Sequence, residues 1–192
     1  MKSKLFFIFI LFLISDLSIS QINYSGTSIS GTNSSAIGFQ TTVNGTGSFI
    51  GGFNSQASGN GVFCYGTTCN ASGNASVALG FASWTMADKC IAIGENAIAG
   101  TTNTGTNAIA IGNLTTASGA YSLALGNRLN ANNTNSIIIG RGDSETQYLT
   151  APANSFAVGI NSTVPTFFVG NSTGGSTGTG NVGIATTTPG SK

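Results

Sequence analysis

Between residues 34 and 170 a short apolar phrase keeps returning, with polar residues between its copies: "SSAIG" (34–38), "SVALG" (76–80), "CIAIG" (90–94), "AIAIG" (108–112), "SLALG" (122–126), "SIIIG" (136–140) and "SFAVG" (155–159). Aligned on the closing glycine, "GSFIG", "VFCYG" and "TFFVG" join them, so that ten copies end at residues 38, 51, 66, 80, 94, 112, 126, 140, 159 and 170. The intervals centre on fourteen residues. A second phrase, "ASG", stands at 57–59, 71–73 and 117–119, with Ala99 and Ala131 at the same offset.

Two columns of each copy are apolar almost without exception. One residue before the glycine stand Tyr65, Leu79, Ile93, Ile111, Leu125 and Ile139; three before it stand Phe63, Val77, Ile91, Ile109, Leu123 and Ile137. Residues two apart on an extended chain share a face, so these columns point one way while Ala78, Ala92, Ala110 and Ala124 point the other. β-Branched residues and glycine at this density oppose a helix, and no stripe at 3.6-residue spacing is present. Because fourteen is even, every coil returns each side chain to the same side, and like can stack on like. The pattern predicts an all-β fold, a parallel β-roll or β-solenoid of about ten coils, each made of two short strands joined at glycine-marked turns.

On this reading Val77, Leu79, Ile91, Ile93, Ile109, Ile111, Leu123, Leu125, Ile137 and Ile139 are the core of the roll. The alanine column is left to face neighbouring rolls at close range, which predicts side-by-side oligomers. The two long intervals put "AIAGTTNTGTN" (97–107) and "RGDSETQYLTAPAN" (141–154) in loops outside the regular coils.

Composition narrows the chemistry. The 192 residues include no histidine and only 6% charged residues, which excludes imidazole-based triads and disfavours zinc sites. After Gln21 the acids Asp88, Glu95, Asp143 and Glu145 balance the bases Lys89, Arg128, Arg141 and Lys192. Nothing in that balance holds a nucleic acid or an anionic membrane. Catalytic residues, metal and cofactor are accordingly expected to be none. A polysaccharide-cleaving enzyme requires paired carboxylates, and these four acids form no pair across coils.

Residues 1–20 read as a cleaved secretory signal: Lys2 and Lys4, the apolar run Leu5 to Ile14, then Ser18-Ile19-Ser20 before the cut. Ten apolar residues are too few to span a bilayer, for which a helix needs roughly 20. The organisation is therefore signal peptide 1–20, lead-in 21–33, head repeats 34–170 and a Gly/Ser/Thr-rich connector 171–192. Export permits disulfides, but Cys64, Cys69 and Cys90 are odd in number. Cys64 occupies the alanine column and Cys90 the serine column, as small buried fillers. A Cys64 to Cys69 bridge across a turn stays open as an alternative, while Cys90 lies two coils from Cys64, out of reach.

At "ASGNASVALG", "AIAIGNLTTASGAYSLALG" and "SIIIG" the chain resembles the head repeats of YadA-like trimeric autotransporter adhesins. The resemblance is clearest from Ala71 to Gly140 and looser from Ser34 to Gly170. It implies a left-handed parallel β-roll, a homotrimer, display at the cell surface, and adhesion to extracellular matrix or a host-cell receptor without catalysis. "TFFVGNSTGGSTGTGNVGIATTTPGSK" is similar to a segment of bacterial surface proteins and phage tail fibres that leads into further fibre, with Ala185 where that segment has glycine. A passive fibre spacer is the alternative function.

Two smaller motifs remain. Arg141-Gly142-Asp143 is the triplet recognised by integrin-type receptors and is a candidate receptor contact, placed at the start of the longest insertion. Threonine ranks of an ice-binding solenoid need one shared column, whereas Thr41-Thr42 and Thr67-Thr68 sit at different offsets from their glycines.

Overall fold

The computed structural model describes residues 26–101, 104–143, 148–171 and 181–186; the expected signal peptide lies outside them, as does most of the connector. The described chain holds eighteen strands and no helix. Nine of them stack in parallel as one ladder: β2 (Ser35–Phe39), β4 (Phe49–Phe53), β6 (Phe63–Thr67), β8 (Val77–Phe81), β10 (Ile91–Glu95), β12 (Ile109–Ala117), β13 (Leu123–Ala131), β14 (Ser136–Arg141) and β16 (Ser155–Gly159). A second parallel ladder runs beside it through β1 (Ser28–Ile29), β3 (Thr42–Val43), β5 (Gln56–Ala57), β7 (Asn70–Ala71), β9 (Trp84–Thr85) and β11 (Ile98–Ala99). It continues through the second halves of β12 and β13 to β15 (Leu149–Thr150). The fold is the expected parallel β-solenoid, with eight turns between nine stacked strands, a rod about 38 Å long at ordinary strand spacing.

The ladder corrects one register. Gly38 pairs with Gly52, and Gly52 with Gly66, so Gly52 closes the second coil in place of Gly51. The intervals along the first five glycines become a uniform fourteen. Gly51 falls instead in the column of Ile37 and Tyr65, where a Cβ would meet the Tyr65 ring at 2.4 Å. It is the space that the tyrosine of the next coil fills.

The assignment of faces is reversed. The interior of the roll is the alanine column, Ala78, Ala92, Ala110, Ala124 and Ala157 with Ile50, Cys64 and Ile138, each fully buried. Three further inward positions per coil are small in most coils, as in Ser76, Ser83 and Thr85, with Val43, Val62, Leu129 and Leu149 as the larger exceptions. Val77, Leu79, Ile91, Ile93, Ile109, Ile111, Leu123 and Ile139 are only half-buried, and Leu125 and Ile137 are exposed; all ten stand on the outside. The interior is filled mostly by Ala, Ser, Thr and Cys, with Ile50, Leu129, Ile138 and Leu149 the larger residues it holds; a core of such small side chains makes a thin coil, and the remaining large aliphatic side chains face outward. Buried serines satisfy themselves on carbonyls across the turn, as Ser34 Oγ does on Gly45 (2.6 Å) and Ser48 Oγ on Gly59 (2.9 Å).

Both insertions are shorter than expected. Ala97, Ile98 and Ala99 remain in the coil, and the first excursion begins at Thr101, which bridges to Thr104. Arg141 still pairs with Asn127, Gly142 N–H bonds the Asn127 carbonyl and Leu149 rejoins the ladder opposite Leu129, so the second excursion begins only at Asp143 and ends before Leu149. The tenth copy is not a coil. Phe167–Gly170 (β17) pairs antiparallel with β16, and Asn181–Ile184 (β18) antiparallel with β17. Phe168, 3% exposed, joins the core cluster there.

Candidate adhesive surface

The outward aliphatic columns form an unbroken apolar stripe. Ile91 pairs with Val77 and Ile109, Ile109 with Leu123 and Leu123 with Ile137, while Leu79, Ile93, Ile111, Leu125 and Ile139 follow the same order one pleat on. Toward the N-terminal coils the stripe turns aromatic, with Phe49 and Phe63 stacked at 5.3 Å and Tyr65 exposed beside them. A soluble monomer rarely leaves so long a contiguous apolar surface to water.

A different column borders this stripe, one residue past each closing glycine. It begins with Phe39 and Phe53, ring centroids 5.5 Å apart and nearly parallel, and continues through Thr67, Phe81, Glu95, Asn113, Asn127 and Arg141. In its second half the side chains bond one another: Asn113 Nδ2 donates to Glu95 Oε2 and Asn127 Nδ2 to Asn113 Oδ1, both at 2.9 Å.

Arg141-Gly142-Asp143 sits at a coil corner. Arg141 is the last residue of β14, paired with Asn127. Gly142 is buried and donates its N–H to the Asn127 carbonyl at 3.0 Å, as Asn96 does to Phe81 in an earlier coil. Only Asp143 belongs to the excursion. Arg141 and Asp143 are both exposed, but the triplet is anchored by the repeat at its first two residues and does not form a loop tip.

The three thiols are buried and free. Cys64 and Cys69 face each other inside one coil, and Cys69 Sγ also donates to the Ala78 carbonyl at 3.2 Å. A hydrogen bond to Cys69, together with burial, pushes the Cys64 thiol well above its ordinary range. Cys90 is also raised, chiefly by burial. Cys69 is instead lowered, chiefly by the hydrogen bond from Cys64, so its protection rests on burial. Thiolate is the reactive form and must also be reachable, so thiol reagent at pH 8 is expected to leave the native protein unlabelled and to titrate three thiols after denaturation. Fewer than three under denaturing, non-reducing conditions would reveal a bridge.

Among the described residues no group of three or more His, Cys, Asp or Glu is placed to hold a metal ion, and no helix is long and apolar enough to cross a membrane. The architecture defines the class: a β-solenoid repeat module whose glycine columns keep coils in contact and whose large apolar side chains face outward. Within that class, residues 30–49 and 104–128 match the YadA head domain repeat, in two copies. The parallel roll fits such repeats, which belong to surface-exposed adhesins. No curated protein matches the chain.

Proposed function

We propose that this chain forms the head of a secreted, surface-displayed homotrimeric adhesin, exported through residues 1–20, that holds extracellular matrix or a host-cell receptor without catalysis. The observation that carries the reading is the apolar stripe on the outside of the roll. Its side chains stack in strict register over the coils, and three copies meeting on this face would remove it from water along the whole rod. Burial of apolar area is the main favourable term in such association. The match to YadA head repeats supports the trimer and the adhesive role, and the paucity of charge supports an absence of catalysis.

The test is attachment of cells and matrix proteins to the immobilised trimer. An adhesin retains them in a saturable manner, whereas a passive fibre spacer retains none. Asp143→Glu keeps the charge but lengthens the side chain that a triplet-reading receptor requires. Because Arg141 and Gly142 are fixed in the coil, attachment is expected to be unchanged by this substitution. A loss of attachment would assign the triplet as a contact.

A further inference from the structure

The column one residue past the closing glycine changes character along the rod. Glu95, Asn113, Asn127 and Arg141 fill its second half; Glu95 and Arg141 are charged and exposed, and a charge without an opposite partner is costly to bury. This column therefore faces water even when the neighbouring apolar stripe is covered by sister copies. The aromatic residues of its first half, Phe39, Phe53 and Phe81, are in the same column and remain open to solvent; Phe53 is 48% exposed and Phe81 53%.

Between Phe53 and Phe81 the column holds only Thr67. Phe53 lies against Phe39 with one ring face, so its opposite face is turned toward the coil of Thr67, whose short side chain leaves it uncovered. Phe81 stands two coil steps from Phe53, about 10 Å at ordinary strand spacing. Trp84, across the corner in the next ladder, donates its indole Nε1 to the Thr68 carbonyl at 3.3 Å and so leans back over the same corner. Gln56 and Asn70 precede Trp84 in its column and offer amide donors and acceptors. The result is a notch walled by aromatic residues and edged by amides.

The charge pattern decides the class of ligand. From Gln21 to Ala87 the chain has no Asp, Glu, Lys or Arg, so these coils offer nothing to a phosphate, a sulfate, a carboxylate or an anionic lipid. Aromatic faces carry negative potential and attract weakly positive C–H groups, which a sugar ring presents on its faces while its hydroxyls reach the amides. We propose that the notch over Thr67, between Phe53 and Phe81 and beside Trp84, binds sugar units of a neutral polysaccharide. The inference deepens the adhesin reading and rests on it, since it takes the apolar stripe as covered and the notch as displayed.

Trp84 is the single tryptophan of the chain, so its fluorescence reports on the notch directly. The assembled full chain is titrated with laminarin, dextran and galactomannan as neutral polymers, and with heparin and hyaluronan as charged ones. A saturable change in Trp84 emission is expected with at least one neutral polymer and with neither charged one. Thr67→Phe fills the notch by continuing the ring column of Phe39 and Phe53, and is expected to weaken binding at least tenfold without unfolding the roll. Phe81→Ala should do the same, and Tyr121→Ala, an exposed ring at another corner, should change nothing.

The proposal is overturned by three results: no response to any neutral polymer, binding that survives Thr67→Phe, or a Trp84 in the assembly shielded from acrylamide. The last would mean that a sister copy or another protein covers the notch. Light scattering on the same samples separates the two ideas. A monomer removes the assembly reading, whereas a trimer without sugar binding removes this proposal alone.

Discussion

Gly112→Ala is expected to cost about 4 kcal/mol of stability, backbone strain and overpacking each contributing about 1–3 kcal/mol. Gly112 has φ +135°, and an added Cβ would lie 1.7 Å from the Gly126 carbonyl oxygen of the next coil. That oxygen belongs to a strand held in the ladder on both sides, so it cannot yield without breaking its own hydrogen bonds. Gly47→Ala separates the two contributions. Its φ is +63°, yet nothing lies within 4 Å of the added Cβ, so only the backbone preference of about 1 kcal/mol is lost. Denaturant unfolding followed by far-UV circular dichroism checks both, and equal losses at the two positions would show that coil contact is not what the glycine column protects.

Ile111→Asp is expected to abolish the proposed homotrimer while leaving the single roll able to form its ladders. Ile111 points away from the interior, and its neighbours in the stripe are Ile93 and Leu125. A carboxylate there is cheap in a lone roll, where water reaches it. In the proposed trimer it would meet an apolar face and its own copies, and an unpaired buried charge at an interface costs about 2–5 kcal/mol or more, on the order of a thirtyfold to several-thousandfold loss of affinity. Sedimentation should show a shift from trimer to monomer with strand content retained. Ala110→Asp, one residue away and fully buried inside the coil, should instead unfold the chain. If Ile111→Asp unfolded it and Ala110→Asp did not, the two faces would have been assigned the wrong way round.

The period, the strand type and the parallel stacking were legible in the sequence because each depends on local rules: alternation places residues on faces, and a glycine that recurs every fourteen residues marks where backbones touch. Which face is the inside was not legible. Both alternating sets, Ile91–Ile93 on one side and Ala78–Ala92 on the other, are apolar, and hydrophobicity alone sends the larger set inward. The deciding quantity is the gap between the two ladders, a tertiary dimension. Its trace in the sequence is that positions such as Ser76, Ser83 and Thr85 are small as well, four inward positions per coil instead of one.

Other departures have equally local causes. Gly51 has the wording of a closing glycine because it follows Phe49-Ile50, whereas the ladder needs Gly52 so that Tyr65 can lie over Gly51. The tenth phrase, "TFFVG", has the wording of a coil but follows its predecessor by eleven residues, too few for a full turn, and it turns back as an antiparallel strand. The aromatic notch was hidden because Phe53, Thr67 and Phe81 stand fourteen residues apart, in a column that carries no repeat wording of its own. Only stacking brings them together.

The outward apolar stripe is proposed as an interface among three identical chains. Multi-angle light scattering of the chain from Gln21 onward, across a dilution series in native buffer, measures this directly. A mass three times that of the chain is expected, unchanged on dilution into the micromolar range and reduced to one chain by Ile111→Asp. A monomer at every concentration, with the strand content of the roll intact, would contradict it.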